Sequence, residues 1–410
     1  MNIWILHPSA GGPGVGRHWR PYWLAEAWNR MGHRAIVVCA TFHHLMQGEP
    51  KVPGEARIGD VDYWFVRTPS YRDNGWGRLR NNFAYGRQLA SDGETIAQKF
   101  GAPDLVIASI PHLFHVPAAR RIARRFGARF WVEVRDLWPE SIVALGLATH
   151  WHPLVMLIAR QERWAYRNAE RVISLLAGAE PHMRRRGLPG GRFGWIPNGV
   201  SQGEINQAVA PPAIEHPMLQ RIADLKGQGK QVVVHAGAMG PANAIDIILD
   251  AASRLAQTES RIHFVLVGDG IGRDRYRARA HGLVNLDFAG EVERPVAQAL
   301  IRASDCAVIA FHRNALYDHG ISPNKLFDQC LFAPRSVIAC DARALAGLEG
   351  IAGRRCEPDN PDALAAALTA ALAAPARLVN ERIAALGKFS YALLAGQYLA
   401  GIRESEGGDS

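Results

Sequence analysis

The sequence predicts an α/β protein of two domains, each built on a doubly wound parallel sheet. Short apolar runs of strand length alternate with amphipathic helical stretches along the 410 residues, and this alternation is typical of parallel sheets. It stops after IPNGV and resumes at QVVVHAG. We therefore expect a first domain over residues 1–197, a second over 198–378, and a helix within 379–410 that crosses back to the first. The two sheets are expected to face each other across a cleft lined by the carboxyl ends of their strands.

The individual elements follow from the same alternation. In the first domain the predicted strands are MNIWILHP, AIVVCAT, VDYWFVRT, PDLVIAS, ARFWVEVRD and RVISLL, and a helix is predicted from about Trp19 to Met31. In the second domain they are QVVVHAG, RIHFVLVGDG, LDFAG, CAVIAF and SVIAC, with helices such as IDIILDAASRLA between them. The stretch between 197 and 230, which contains PPAIEHP, has little periodicity and is interpreted as the linker.

The composition is that of a globular chain, with 48% apolar and 21% charged residues. No apolar run reaches the ~18 residues that a transmembrane helix needs. The start of the chain lacks the basic residues and apolar core of a signal peptide, so a cytoplasmic location is expected. The five cysteines show no metal-ligand spacing and are interpreted as small core residues.

Charge is distributed unevenly along the chain. Residues 1–195 carry 26 lysines and arginines against 15 acidic residues, and they also hold all 11 tryptophans. The remainder carries 21 basic and 23 acidic residues. A basic, aromatic domain suits an anionic partner, either a membrane surface or a nucleic acid. The arginines do not follow a nucleic-acid-binding motif, so we expect an anionic membrane surface and no nucleic acid, although many of the tryptophans are equally expected in the core.

Glycine-rich turns follow the first predicted strand of one domain and a middle strand of the other. SAGGPGVG places Gly12, Gly14 and Gly16 before a helix, where amide groups can approach a phosphate or sugar. The spacing is not that of a dinucleotide site, and an ordinary tight turn is an equal alternative. VGDGIG places Gly268 after a strand of the second domain, again without specificity of its own.

GISPNKLFDQC is the most informative segment. Ser322, Pro323 and Asn324 are predicted to precede a helix that begins near Lys325, so that amide groups and an ammonium converge on a diphosphate. Asp328, one turn later, is positioned to accept hydrogen bonds from ribose hydroxyls. The alternative is an ordinary capped helix with a surface lysine.

Polar side chains also follow two strands of the first domain. Arg135 and Asp136 come at the end of FWVEV, where they form either a structural ion pair or contacts to the transferred sugar or the acceptor hydroxyl. His112 and His115 follow PDLVIAS. Two histidines without a third ligand favour hydrogen bonding over a metal, so no metal site and no cofactor are expected.

In order and spacing, these segments resemble the retaining glycosyltransferases of family 4, which have two Rossmann-like domains in the GT-B arrangement. The first domain is similar to the N-acetyl-L-fucosamine transferases of bacterial O-antigen and capsule synthesis. The resemblance is carried by the segments RPYWLAEAWNRMGHRAIVV, ATFHHL, ASIPHLFH, EVRDLWPES, RVISL, IPNGV, FVLVGDG, NLDFAGEV and SPNKLFD.

The resemblance implies a retaining transfer of a HexNAc or deoxy-HexNAc, most naturally from a UDP-linked donor. The acceptor would be a lipid-diphosphate-linked or free saccharide at the inner face of the cell membrane. Donor binding is implied for Gly237, Gly268, Gly290, Glu291, Val292, Arg313, Ser322, Pro323, Asn324, Lys325, Leu326 and Asp328. Acceptor binding is implied for Gly12, Gly14, Gly16, His18 and Arg20. The catalytic set comprises Arg135, Asp136, His112 and Lys325.

The sequence departs from the family pattern at four positions. Gly320 replaces the first carboxylate of the E-x7-E pair, and Arg135 replaces a histidine. Ala238 and Asn243 replace two diphosphate-binding cations, which places more of that charge on Lys325 and Arg313. The O-antigen subgroup is expected to share several of these changes. Two rival functions remain: a UDP-sugar 2-epimerase of the same fold, and a non-catalytic protein that binds sugar nucleotides.

Overall fold

The structure is a computed structural model in which residues 1–46, 48–72, 75–144, 146–240 and 242–406 are described. The chain divides into two compact units. Unit 1 comprises Met1–Pro197 with Tyr391–Ser410, and unit 2 comprises Asn198–Ser390. The division falls between Pro197 and Asn198.

Unit 1 is an eight-stranded sheet with helices packed against it. Its strands are β1 (Asn2–Leu6), β2 (Arg34–Ala40), β3 (Gly54–Ile58), β4 (Val61–Val66), β5 (Leu105–Ile110), β6 (Arg129–Val134), β7 (Arg171–Ser174) and β8 (Phe193–Trp195). Its first helices are α1 (Arg20–Arg30), α2 (Trp76–Phe100), α3 (Val116–Phe126), α4 (Glu140–Ala144), α5 (Pro153–Asn168) and α6 (Glu180–Arg185).

The order of strands across this sheet is β3-β4-β2-β1-β5-β6-β7-β8. All pairs are parallel except β3 with β4, which form an antiparallel hairpin at one edge. The parallel sheet was predicted, but β3 was not. Its sequence, GEARI, alternates half-buried and exposed residues, and a short polar edge strand of this kind carries little apolar signal.

Unit 2 is a six-stranded, fully parallel sheet of order β11-β10-β9-β12-β13-β14. Its strands are β9 (Gln231–Ala236), β10 (Ile262–Val267), β11 (Leu286–Gly290), β12 (Cys306–Ala310), β13 (Ser336–Ala339) and β14 (Arg354–Cys356). Its helices are α7 (Gln202–Val209), α8 (Pro217–Gly227), α9 (Ile245–Thr258), α10 (Arg273–Arg279), α11 (Arg294–Ala303), α12 (Asn324–Phe332), α13 (Pro361–Ala373) and α14 (Val379–Leu386).

The stretch interpreted as a linker contains two of these helices. Ser201 caps α7 by accepting a hydrogen bond from the backbone N–H of Glu204, whose carboxylate in turn accepts one from the Ser201 N–H. Pro217 opens α8, where its missing N–H costs nothing. The interpretation of a linker from 197 to 230 is therefore wrong, because local capping specified helices that the weak apolar periodicity did not indicate.

The C-terminal helix, α15 (Tyr391–Glu406), returns to unit 1. The return begins at Tyr391 and not at residue 379, because α14 belongs to unit 2. Within the unit 1 core, the indole N–H of Trp28 donates to the carbonyl of Ala395 at 3.0 Å. The ring of Tyr398 lies 5.3 Å from that of Trp28 and 5.9 Å from that of Trp131, between ring centroids. Several tryptophans are therefore core residues, which is the second of the two roles expected for them from the sequence.

Candidate functional site

Three glycines lie at the carboxyl edge of the unit 2 sheet. Gly268 follows β10 with φ +135°, and a Cβ there would lie 2.0 Å from the carbonyl oxygen of Gly237, which follows β9. The N–H of Gly268 donates to the carbonyl of Gly290 at 2.7 Å, and Gly290 has φ +74°. The backbones of β9 and β10 approach so closely after their ends that a side chain would not fit at Gly268.

Lys325 lies beside these glycines, in the first turn of α12. A Cβ on Gly237 would be 3.5 Å from the Lys325 Cδ. The Lys325 ammonium donates to the side-chain oxygen of Asn243 and lies 4.7 Å from the centroid of the Phe311 ring. No carboxylate among the described residues forms an ion pair with it. Because burial disfavours the charged form, the pKa of Lys325 is lowered to about 7.

The N-terminus of α12 supplies further groups. The side-chain oxygen of Asn324 is buried without a hydrogen-bond partner in the part of the chain that is described. Ser322 accepts hydrogen bonds from the backbone and the side chain of Asn198, which fixes the loop before the helix. Leu326 is fully buried, so only its backbone could contact a ligand. Asn198 was not predicted as a site residue, although an Asn-Gly dipeptide such as Asn198-Gly199 is typical of a turn.

A buried histidine lies next to Lys325. The Nδ1 atom of His235 is 3.0 Å from the carbonyl oxygen of Val308, while its Nε2 atom has no partner within the described residues. That Nε2 atom would lie 3.2 Å from a Cβ on Gly237. Burial, followed by the charge of Lys325, lowers the pKa of His235 to about 3. The imidazole is therefore neutral at pH 7 and adds no charge beside Lys325.

Asp328 does not present an unengaged carboxylate. Its Oδ1 atom accepts hydrogen bonds from Arg294 at 2.8 Å and Gln298 at 2.9 Å. Both donors also bond to Glu204, at 2.6 and 3.2 Å. Burial, with Glu204 nearby, raises the pKa of Asp328 in spite of Arg294. This network joins α7, α11 and α12, and the predicted ribose contact would have to use the oxygen that Arg294 and Gln298 leave.

The remaining predicted donor residues lie on loops at or near this edge. Glu291 is exposed and Val292 is half-buried after the Gly290 bulge. Arg313 is exposed, its backbone N–H donates to Asp359 at 2.8 Å, and its guanidinium lies 3.9 Å from the Asp341 carboxylate. Arg313 therefore already has acidic neighbours, in contrast to Lys325, and does not supply the unpaired charge expected of it.

In unit 1 a group of histidines collects at the carboxyl edge of the sheet. The ring centroids of His7 and His18 are 5.8 Å apart, and those of His112 and His115 are 5.3 Å apart. Burial lowers the pKa of all four below the ordinary value. For His7 and His18 the charge of Arg135 adds to this effect. These imidazoles are neutral at pH 7 and can accept hydrogen bonds from hydroxyl groups.

Several polar atoms of this group lack partners. Within the described ranges, no hydrogen bond is made by Nε2 of His7, Nδ1 of His18, either ring nitrogen of His112, or Nη1 of Arg135. Asp136, beside Arg135, is exposed. Since buried polar atoms are normally hydrogen-bonded, these atoms indicate a site for a polar ligand. Among the described residues, histidine, cysteine and acidic side chains nowhere gather in threes that could hold a metal ion.

Arg20 is buried, and each of its three guanidinium nitrogens has a partner in the protein, which contradicts the predicted acceptor contact. Its Nε atom donates to Glu133 at 3.0 Å, and its two Nη atoms donate to the carbonyls of Pro197 and Ile196. Burial acts to raise the pKa of Glu133, but Arg20, Arg135 and the Ser109 hydroxyl outweigh it, so that pKa is lowered. Glu133 was not predicted, because the sequence FWVEV gave no sign of its buried partner.

The glycine-rich loop of unit 1 is closed on itself. The N–H of Gly12 donates to the carbonyl of Gly16 at 3.3 Å, and a Cβ on Gly16 would lie 2.7 Å from the Leu45 carbonyl oxygen. Gly14, at the exposed tip with φ +67°, accepts a hydrogen bond from Lys51 at 2.9 Å. The loop therefore forms a tight turn that positions His18. The Gly12 N–H is already bonded within this turn and is not available to an acceptor saccharide.

An open groove of about 780 Å³ lies along α2. Arg67, Arg80 and Arg87 line it together with Trp76 and Phe83. Among the described residues, no carboxylate pairs with these three arginines. A chain of aromatic contacts leads from the groove to the histidines. Ring centroids are 4.3 Å apart for the pair Phe83 and Phe114, and 5.7 Å for Phe114 with the His112 ring.

Comparison with known families identifies both halves of the chain. Residues 14–199 match the glycosyl transferase 4-like domain, and residues 230–374 match the glycosyl transferases group 1 domain. A protein of Escherichia coli K12 named as a colanic acid biosynthesis glycosyl transferase, WcaI, is 26% identical over 290 residues. That alignment covers 68% of this chain and 69% of WcaI.

Solved structures of low sequence identity share the fold. Sucrose-phosphate synthase from Thermosynechococcus elongatus superposes with a TM-score of 0.69 at 17% identity, with 99% of each chain covered. Anabaena HepE, solved with UDP and glucose, has a TM-score of 0.63 at 18% identity, covering 98% of this chain and all of HepE. The lipopolysaccharide outer core galactosyltransferase WaaB has a TM-score of 0.62 at 14% identity, covering 99% of this chain and all of WaaB.

Proposed function

Because the chain belongs to glycosyltransferase family 4, we propose that it transfers a HexNAc or deoxy-HexNAc from a UDP-linked donor with retention of configuration. The acceptor is a lipid-diphosphate-linked or free saccharide in surface polysaccharide synthesis. The names of WcaI and WaaB support this assignment, since they place relatives of the fold in colanic acid and lipopolysaccharide synthesis. HepE, which binds UDP and glucose, supports a UDP-linked donor.

Three predictions from the sequence are confirmed at this point. The family, the GT-B fold of two parallel-sheet domains, and the class of enzyme, a glycosyltransferase, all agree with the domain matches and the structural neighbours. The donor, the acceptor, the stereochemistry and the roles of individual residues belong to the proposal.

The single observation that carries the proposal is the Lys325 ammonium. It lies in the first turn of α12 beside Gly237 without a carboxylate partner in the described chain. A partly buried cation without a carboxylate partner is stabilised when an anion binds. A diphosphate at the start of α12 would also receive the helix dipole and the amide groups of the first turn. Binding would raise the pKa of Lys325 from about 7 and keep the ammonium charged.

The same charges serve the chemical step. When the bond between the anomeric carbon and the diphosphate oxygen breaks, negative charge grows on that oxygen. Lys325 and the α12 amides stabilise this charge without reorganising, which is where preorganised groups contribute most. In the front-side reaction that we propose, the acceptor hydroxyl attacks from the side of the leaving group, and the departing diphosphate oxygen takes its proton. No metal ion or cofactor is required for this charge balance.

The acceptor is proposed to bind unit 1. His112 and His18 have ring nitrogens without partners in the described residues and can accept hydrogen bonds from saccharide hydroxyls, and Arg135 can donate one. In the groove along α2, Arg67, Arg80 and Arg87 suit the diphosphate of a lipid-linked acceptor, and the Trp76 and Phe83 rings suit its hydrocarbon. Of the residues predicted to bind the acceptor, His18 keeps that role in the proposal and Arg20 does not.

The test is a transfer assay with separate substrates. The protein is incubated with UDP-GlcNAc, UDP-GalNAc or UDP-linked deoxy-HexNAc, with and without a short-chain lipid-diphosphate saccharide, and UDP release and products are followed by mass spectrometry. We expect UDP release that depends on the acceptor and a product with the anomeric configuration of the donor. Conversion of the donor sugar without acceptor would identify an epimerase. Donor binding with no turnover under any acceptor would identify a sugar-nucleotide-binding protein and contradict the proposal.

A further inference from the structure

Large apolar side chains are exposed together in one short part of unit 1. The exposed fractions are 74% for Leu147, 85% for Trp151, 54% for Met156, 42% for Leu157 and 37% for Trp164. These residues fall within the loop before α5 and along α5 itself (Pro153–Asn168). Single exposed apolar residues are common on protein surfaces, but five large ones within residues 147–164 indicate an interaction site.

The geometry of α5 explains why this face is exposed. Val155, Ile158, Ala165 and Tyr166 lie on the opposite side of the helix and are buried in unit 1. Met156, Leu157 and Trp164 share the other side because residues three, four and seven apart face the same way. The helix is therefore apolar on two sides, and the fold covers one of them.

The charges on the exposed side are all positive. Arg160, Arg163 and Arg167 are exposed on α5, and none forms an ion pair with a carboxylate in the described part of the chain. Glu162 is the acidic residue of α5, and it points into unit 1. It is 1% exposed, accepts a hydrogen bond from Tyr166 at 3.0 Å, and lies 3.5 Å from the Arg186 guanidinium.

We propose that this face docks on an anionic phospholipid membrane. The surface is formed by Leu147, Trp151, Met156, Leu157, Arg160, Arg163, Trp164 and Arg167, and is called the α5 surface. Its tryptophans and aliphatic side chains enter the interface between headgroups and acyl chains, and its arginines contact lipid phosphates. This combination is that of helices that lie in the plane of a membrane interface. Within the described residues, every helix is too short or too polar to span a bilayer.

The inference rests on the proposed function in one respect, since a lipid-linked acceptor is presented at a membrane. Charge complementarity favours a lipid surface over a second copy of this chain. The three arginines of one α5 surface would repel those of another copy, whereas anionic headgroups would attract them.

Co-sedimentation with vesicles tests the proposal. The full chain is mixed with vesicles of phosphatidylcholine alone or of phosphatidylcholine with phosphatidylglycerol, at low and high salt. We expect binding to the anionic vesicles that weakens as salt screens the charges. The double variant Trp151→Ala with Trp164→Ala should reduce the partition coefficient about tenfold or more, because large apolar side chains leave the interface. Each Arg→Gln change at Arg160, Arg163 or Arg167 should reduce it about fivefold.

Matched controls separate this surface from others. Ile271, in unit 2, is 92% exposed, so Ile271→Ala removes an equally accessible apolar side chain and should leave vesicle binding unchanged. Trp76, in the groove along α2, is 85% exposed like Trp151. If Trp76→Ala abolished binding while the α5 variants bound normally, the docking surface would lie on α2 and the proposal would be wrong.

Two further outcomes keep this inference distinct from the proposed function. Lys325→Ala should bind vesicles as the unaltered protein does, even if it transfers no sugar. The α5 variants should retain their thermal stability and their affinity for a UDP-sugar, and should lose transfer only to vesicle-borne acceptors. Equal binding to neutral and anionic vesicles would overturn the proposal. So would a self-associated protein that the α5 variants convert to monomers without any effect on vesicle binding.

Discussion

Arg20 in unit 1 and Lys325 in unit 2 are both cations at the start of a helix beside a parallel sheet, but their surroundings differ. Arg20 is fully buried, and each of its three guanidinium nitrogens has a partner, either the Glu133 carboxylate or a backbone carbonyl. Lys325 has a side-chain amide and an aromatic face as neighbours and no carboxylate partner among the described residues. A cation with a carboxylate partner stabilises the fold, whereas a cation without one can bind an anion from solution. Both were predicted to bind substrate, and only the structure distinguishes them.

Removing the Arg20 guanidinium should have the largest effect, and that effect should be on the free energy of unfolding. Arg20→Ala leaves the Glu133 carboxylate buried without its partner, and we expect unfolding to become easier by about 3–5 kcal/mol. Denaturant titration measures this loss. The control is Arg57→Ala, which breaks an exposed pair with Asp62 at 2.7 Å and should cost less than about 1 kcal/mol. Equal losses for the two variants would contradict the distinction.

Removing the Lys325 ammonium should affect catalysis and leave the free energy of unfolding unchanged. Lys325→Ala should lower the rate of transfer about 10²–10³-fold, as the loss of a preorganised charge does in other enzymes. Steady-state assays of UDP release measure this effect, with thermal unfolding as the check on folding. Lys226→Ala is the matched control, since Lys226 is also in unit 2 but pairs with Asp305 at 3.1 Å on the surface. A stable Lys325→Ala protein with normal turnover would remove the basis of the proposed function.

Asp328 tests the comparison one helical turn away from Lys325. Its carboxylate is engaged by Arg294 and Gln298, so Asp328→Ala should cost about 2 kcal/mol of stability through lost charged hydrogen bonds. We expect the affinity for a UDP-sugar to change less than about threefold, because Arg294 and Gln298 already engage this carboxylate. Calorimetric titration compares UDP with a uridine diphosphate analogue that lacks the ribose 2′- and 3′-hydroxyls. A loss of affinity for the analogue in the unaltered protein but not in Asp328→Ala would reveal a ribose contact and restore the original prediction.

The pKa of Lys325 predicts a pH dependence of donor binding. That pKa is about 7 in the unliganded protein, and a bound diphosphate should raise it. Donor affinity is then greatest below pH 7, where Lys325 is already protonated. It falls as the pH rises above 7, because Lys325 must then take up a proton when the diphosphate binds. Between pH 6.5 and 8.5 the affinity for a UDP-sugar should fall about twentyfold, as the protonated fraction of the unliganded Lys325 does. Lys325→Arg, which stays charged, should bind with little dependence on pH, and a steep dependence in that variant would assign the titration to another group.

Arg313 should show the smallest effect. Its guanidinium is exposed and already faces Asp341, so Arg313→Ala should alter donor affinity and thermal stability only slightly, by less than about twofold in affinity. A large loss of affinity in the same UDP-sugar titration would mean that Arg313 turns toward the diphosphate when the donor binds.

The fold could be predicted from the sequence because strand and helix periods are local properties. The position of Lys325 at the start of α12 could also be predicted, since SPNK is a local signal. The state of each charge could not. The partners of Arg20, Asp328 and Arg313 are Glu133, Arg294 and Asp341, respectively. Each partner is distant in sequence, so the sequence does not show that the charge is paired. For the same reason the tryptophans had to be sorted by the structure into core residues such as Trp28 and exposed ones such as Trp151.

The helix α15 has a consequence for the order of folding. Unit 1 buries Tyr391 and Tyr398 of α15 against tryptophans of its own core, yet all of Asn198–Ser390 is synthesised in between. At about 5–20 residues per second, the ribosome needs on the order of ten to forty seconds to cover that distance. Throughout that time the nascent unit 1 exposes the apolar surface that α15 will cover, so the part of the protein that is made first is the last to be completed.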